Sequence, residues 1–97
     1  MEIMNIQRKE HGKKGAFFIE KDGEWVAEMT YQREGERKMV VDHTEVDESL
    51  RNKGIGEELV EEAVKYAREN NLLIKPVCPF VKSVLEKSED YEDVLTR

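Results

Sequence analysis

Arg51-Asn52-Lys53-Gly54-Ile55-Gly56 places two glycines one residue apart, between a strand-like run (Lys38 to Val46) and an amphipathic helical pattern (about Ile55 to Arg68). Glycines at a strand-to-helix turn let the backbone approach a ligand closely. They also leave the first-turn N–H groups unobstructed, and those groups carry the positive end of the helix dipole. The chemistry such a turn offers is phosphate binding, with Arg51 and Lys53 able to add charge. Two other residues offer reactive groups. His43 can serve as a general base. Cys78, the only cysteine, excludes an internal disulfide and a cysteine-based metal cluster, and is either a buried apolar filler or a reactive thiol. No metal site is expected.

The elements that must position these groups follow from periodicity. Gly15 to Glu20 is a short aromatic and β-branched run, and Asp22-Gly23 is a strong hairpin signal. Trp25, Ala27, Met29 and Tyr31 then alternate with polar residues, and with Phe17-Phe18 the tryptophan reads as core. Glu34-Gly35 marks a second turn before a longer strand, about Arg37 to Val46. Strict alternation there puts Met39, Val41, His43 and Glu45 on one face and Val40, Asp42, Thr44 and Val46 on the other. The period then changes: Ile55, Leu59, Ala63, Tyr66 and Ala67 recur at helical spacing, and Asn70-Asn71 closes the helix. Leu72 to Val77 reads as a short strand, Phe80 to Lys87 as a helix, and Tyr91 to Leu95 as a final turn or helix. His11, beside Gly12 in a polar stretch, is expected in a loop. The order is strand-strand-strand, helix, strand, helix: one α+β domain over residues 1–97, with a strand–helix–strand crossover whose two strands run parallel.

Composition narrows the function. The 97 residues suffice for one core, and the net charge of −6 argues against nucleic acid as a partner. No apolar run approaches the roughly 20 residues of a membrane helix. Met1-Glu2-Ile3-Met4 lacks a signal-peptide pattern, so the expected compartment is the cytoplasm. The acidic residues Asp47, Glu48, Glu57, Glu58, Glu61 and Glu62 read as a solvated helix face that would also attract a cationic partner.

Together, His43-Thr44-Glu45-Val46, Leu50 to Gly56, Leu59-Val60 and Cys78-Pro79-Phe80-Val81 resemble the small, short-chain branch of the GNAT superfamily, the acetyl-CoA-dependent N-acetyltransferases. That superfamily's cofactor motif is Arg or Gln, two residues, Gly, one residue, then Gly or Ala, which Arg51, Gly54 and Gly56 meet. The likeness runs from about Met39 to Leu95. It implies a GNAT-like fold shortened at the acceptor side, and acetyl-CoA as co-substrate. By resemblance, backbone N–H groups of Asn52, Lys53, Gly54, Ile55 and Gly56 cradle the coenzyme A pyrophosphate. Thr44, Glu45 and Val46 hold the pantetheine arm, and the thioester lies between His43 and Cys78. The acceptor is then a primary amine, attacked directly with His43 as base or through an acetylated Cys78. The chain departs from the pattern in three ways. It lacks the helices that shape the acceptor pocket, it has Val84 and Leu85 where many members carry a tyrosine acid, and Ser88-Glu89 precedes Asp90-Tyr91 where the small branch has His-Pro. These departures support a rival expectation, a coenzyme A binding or sensing module with little turnover, and a protein partner that completes the acceptor site.

Overall fold

The computed structural model describes residues 5–96. Its first half is an antiparallel meander of β1 (Gln7–His11), β2 (Lys14–Lys21), β3 (Glu24–Glu34) and β4 (Lys38–Val46). Asp22 and Gly23 both have positive φ, as a tight two-residue hairpin between right-twisted strands requires. After a 3-10 turn at Glu48–Leu50, helix α1 (Ile55–Glu69) carries the chain across to β5 (Leu73–Pro76). That strand pairs parallel with β4 and completes a sheet ordered β1-β2-β3-β4-β5. Helix α2 (Pro79–Glu86) and a 3-10 turn at Glu89–Tyr91 follow, and Leu95 then bridges back to Ile74.

The helical stripe in the sequence is what buries α1. Ile55, Leu59, Val60, Ala63, Val64 and Ala67 pack on one face of the sheet against Phe17, Ile19, Ala27, Met29, Tyr31, Met39, Val41 and Ile74. Helix α2 adds Val81, Val84 and Leu85 to the same cluster. The end of α1 follows the asparagine signal, with Asn70 N–H returning to the Tyr66 carbonyl and Asn71 at φ 55°.

Three expectations are corrected. A strand precedes Gly15, and His11 is its last residue, paired with Lys14, rather than part of a loop. No apolar alternation announces this strand, because its core-facing positions are Arg8 and Glu10. Glu10 Oε2 accepts from Arg8 Nη1 (2.6 Å), the Tyr31 hydroxyl (2.9 Å) and the Tyr66 hydroxyl (3.2 Å), so a polar network covers the aromatic edge of the core. Second, Trp25 leaves the core. Ile19 pairs with Ala27 but Glu20 with Trp25, so Val26 is an extra residue and the alternation inverts. Trp25 is 41% exposed and stacks on Phe18 with centroids 4.1 Å apart.

Third, β4 also carries a bulge. Tyr31 pairs with Val41 and Thr30 with His43, so Asp42 is the extra residue, its carboxylate accepting from the Thr30 hydroxyl at 2.6 Å. Beyond it the faces swap. Thr44 and Val46 pair with the core-facing Met29 and Ala27, whereas His43 and Glu45 pair with Thr30 and Glu28 on the face that α1 does not cover.

Candidate functional site

Strands β4 and β5 part company after the pairing of Val41 with Pro76. The Val41 carbonyl accepts from both Val77 N–H (3.0 Å) and Cys78 N–H (3.1 Å), and there the ladder stops. Strand β4 runs on to Val46 with no β5 partner, while the other chain turns into α2. A cleft of about 450 Å³ fills the gap on the helix side of the sheet. Thr44 and Val46 form one wall, Arg51, Asn52 and Gly54 the loop end, and Ile55, Gly56 and Glu57 the first turn of α1; Leu50 and Phe80 complete it.

The loop is built to present backbone. Gly54 caps α1 at φ 74°, in the left-handed region that a side chain disfavours, and makes no side-chain cap bond. The first intrahelical bond joins Glu58 N–H to the Gly54 carbonyl at 3.0 Å. The N–H groups of Ile55, Gly56 and Glu57 therefore precede it, unpaired within the helix, on the wall those residues form. Gly56 has a second duty, since Phe80 lies against it. Arg51 Nε donates to the Val46 carbonyl at 3.3 Å, which ties the loop to the end of β4 and leaves its charge beside the cleft. A dipole end, free amides and a guanidinium give this end of the cleft groups suited to an anion. Glu57 is the opposing charge on the same wall.

At the other end Cys78 caps α2, with φ −68° and ψ 123°, and Pro79 occupies the first helical position. Its thiol donates to the Thr44 hydroxyl, Sγ to Oγ1 3.6 Å, so the sulfur lies one side chain from the cleft wall. Burial pushes this thiol up. The Val81 N–H, the Thr44 hydroxyl and the Phe80 N–H outweigh burial and hold it below its ordinary value.

Of the residues singled out from sequence, Thr44, Val46, Arg51, Asn52, Gly54, Ile55 and Gly56 line this one cleft. Glu45 and Lys53 do not line it. His43 is separated from Cys78 by the thickness of the sheet: it stands on the open face, its Nε2 3.6 Å from Glu45 Oε2, with both side chains largely exposed. Leu50, Glu57 and Phe80 were missed. Phe80 carries a signal, being an aromatic residue right after Cys-Pro that stands off the buried stripe of Val81, Val84 and Leu85. Among the described residues no group of three His, Cys, Asp or Glu is placed to hold a metal, and no helix is long and apolar enough to cross a membrane.

Comparison with known proteins supports the same assignment. Residues 16–94 match the family model described as GCN5-related N-acetyl-transferase. The NMR structure of a GCN5-like protein from Staphylococcus aureus is 36% identical over 99% of this chain and 91% of that one, with a TM-score of 0.74. The ribosomal-protein-alanine N-acetyltransferase of Brucella melitensis biovar Abortus 2308 shares the fold at 22% identity, with a TM-score of 0.62 over 88% of this chain and 71% of that one. A GNAT acetyltransferase from Elizabethkingia anophelis, solved with acetyl-CoA bound, shares it at 14% identity and a TM-score of 0.55, over 64% of this chain and 41% of that one. No curated protein was matched. The chain belongs to the GCN5-related N-acetyltransferase family.

Proposed function

We propose that the chain takes an acetyl group from acetyl-CoA and transfers it to a primary amine. The observation that carries this reading is the cleft where β4 and β5 part, with unpaired first-turn amides at one end and Thr44 beside Cys78 at the other. The residues fit the donor. Amides of Ile55, Gly56 and Glu57 with Arg51 suit a pyrophosphate, and the edge of β4 that β5 leaves uncovered at Thr44 to Val46 suits the amide-bearing arm. The acetyl end then lies toward Thr44 and Cys78. An amine reaching the gap from the open face of the sheet passes His43, which takes its proton through water as the new C–N bond forms and the donor sulfur leaves as a thiolate. Glu45 and Asp42 beside His43 favour a cationic acceptor.

The contact between Cys78 and Thr44 favours a second route to the same product. Cys78 Sγ, as the thiolate, bonds the acetyl carbon while the donor's C–S bond breaks and the donor sulfur leaves as a thiolate. The amine then attacks this enzyme thioester, releasing Cys78 and losing its proton to His43 or water. Incubation of the protein with acetyl-CoA and a set of polyamines and lysine peptides, followed by mass spectrometry, tests both. Acetylated amine is the expected product, and a Cys78 adduct that disappears on amine addition marks the second route. Acetyl-CoA binding with no product from any amine would replace the enzyme reading with a coenzyme A sensing module that acts through a partner.

A further inference from the structure

Thr44 is the one side chain on the cleft wall that the structure joins to Cys78 by a hydrogen bond. It reaches this place only because the bulge at Asp42 turns it inward. Without that extra residue the alternation would aim His43 at the helix side and Thr44 at the open face. A threonine hydroxyl is both donor and acceptor, so the same contact serves both states of the sulfur. With the thiol, Oγ1 accepts; with the thiolate, the hydroxyl rotates and donates. The sulfur otherwise sits in apolar surroundings. Cys78 is 8% exposed and belongs to the core cluster with Val41, Leu50, Ile55 and Val81. An anion there needs donors within the protein, and besides the backbone amides of Val81, Phe80 and Thr44 the side-chain donor in place is the Thr44 hydroxyl.

We propose that Thr44 is a positioning residue for Cys78: its hydroxyl holds the sulfur at the cleft wall and stabilises it as the thiolate that exchanges with the donor thioester. The inference rests on the second route above. In that exchange the Cys78 sulfur supplies the electron pair of the new S–C bond, and the departing donor sulfur carries away the pair of the bond that breaks. No proton is needed at the carbonyl carbon, and the Thr44 hydroxyl is released from the sulfur as its charge is consumed. The β-branched side chain of threonine adds stiffness, since it strongly restricts the rotamer that points Oγ1 at Sγ.

The test reads the thiol itself. Thiolate absorbance near 240 nm is followed from low to high pH in the protein, with the Cys78→Ser variant as blank, which is clean because Cys78 is the only cysteine. Thr44→Val, which keeps the shape and removes the hydroxyl, is expected to raise the midpoint by about one pH unit. Thr44→Ala should raise it likewise, and Thr44→Ser should return it close to the starting value. An unchanged midpoint in both Thr44→Val and Thr44→Ala, or no recovery in Thr44→Ser, overturns the proposal. No acyl donor is present in this titration, so its failure is distinct from a failure of acetyl-CoA to occupy the cleft.

Discussion

Phe80 lies over Gly56 so closely that a methyl group built on Gly56 would stand 2.7 Å from the ring's Cζ. The two residues join the first turns of α1 and α2 across the cleft, and only a residue without Cβ lets the ring rest there. Phe80 is 39% exposed, so a methyl at position 56 displaces the ring instead of breaking the core. Gly56→Ala is therefore expected to weaken acetyl-CoA binding about tenfold, or about 1.4 kcal/mol, with a smaller effect on melting temperature. Calorimetric titration checks this. In the Gly56→Ala/Phe80→Ala double variant the added penalty of the methyl should vanish, and a fully additive cycle would show that the ring does not mediate the effect.

His43 separates binding from transfer. It stands on the sheet face opposite Thr44, outside the residues that line the cleft. His43→Ala should leave the acetyl-CoA dissociation constant within about twofold and cut amine acetylation by about 100-fold or more. Equal losses in binding and in transfer would place His43 in the donor site instead.

The Glu10 network makes a pH prediction. Burial pushes the Glu10 carboxyl up, yet the Tyr31 and Tyr66 hydroxyls, then Arg8 and Arg33, outweigh it and hold it below its ordinary 4.5. A carboxyl depressed in the folded state stabilises the fold above its unfolded value, and that contribution is lost as pH falls through the folded one. Melting temperature should therefore fall below about pH 4.5 more gently in Glu10→Gln than in the parent, with Glu10→Gln already lower at pH 7. Parallel acid limbs in the two proteins would contradict this.

Burial predicts the ranking of two apolar truncations. Leu59 on α1 is fully buried, and Leu59→Ala is expected to cost about 2–5 kcal/mol in urea unfolding. Trp25 is outside the core and covers Phe18 by stacking, so Trp25→Ala should cost only about 1 kcal/mol. The reverse order would mean that the bulge at Val26 is misplaced.

The elements from β2 onward and the glycine turn into α1 could be read from residues alone, because hairpin turns, the 3.6-residue period of α1 and the paired glycines are local signals. The bulges at Val26 and Asp42 could not. Each inserts one residue into a strand with no glycine or proline to mark it, and each inverts the faces that follow. Trp25 thus moved outward, and His43 and Thr44 exchanged sides. Strand β1 was hidden for a related reason: Arg8 and Glu10 face the core only because Tyr31 and Tyr66 bring hydroxyls to meet them. That match belongs to tertiary structure, and no periodicity in Gln7–His11 encodes it. Phe80 stands out in the sequence as an aromatic off the buried stripe of α2, but its contact with Gly56 follows only from the packing of α2.

The central claim is that the first turn of α1 and its loop bind the anionic end of acetyl-CoA. A titration of the uniformly 15N-labelled protein with acetyl-CoA, followed amide by amide, tests it most directly. Saturable shifts are predicted for Asn52, Gly54, Ile55, Gly56 and Glu57, with weaker ones at Thr44 and Val46 and none along β1. Amides of residues 52–57 that stay unmoved at millimolar acetyl-CoA would contradict the account.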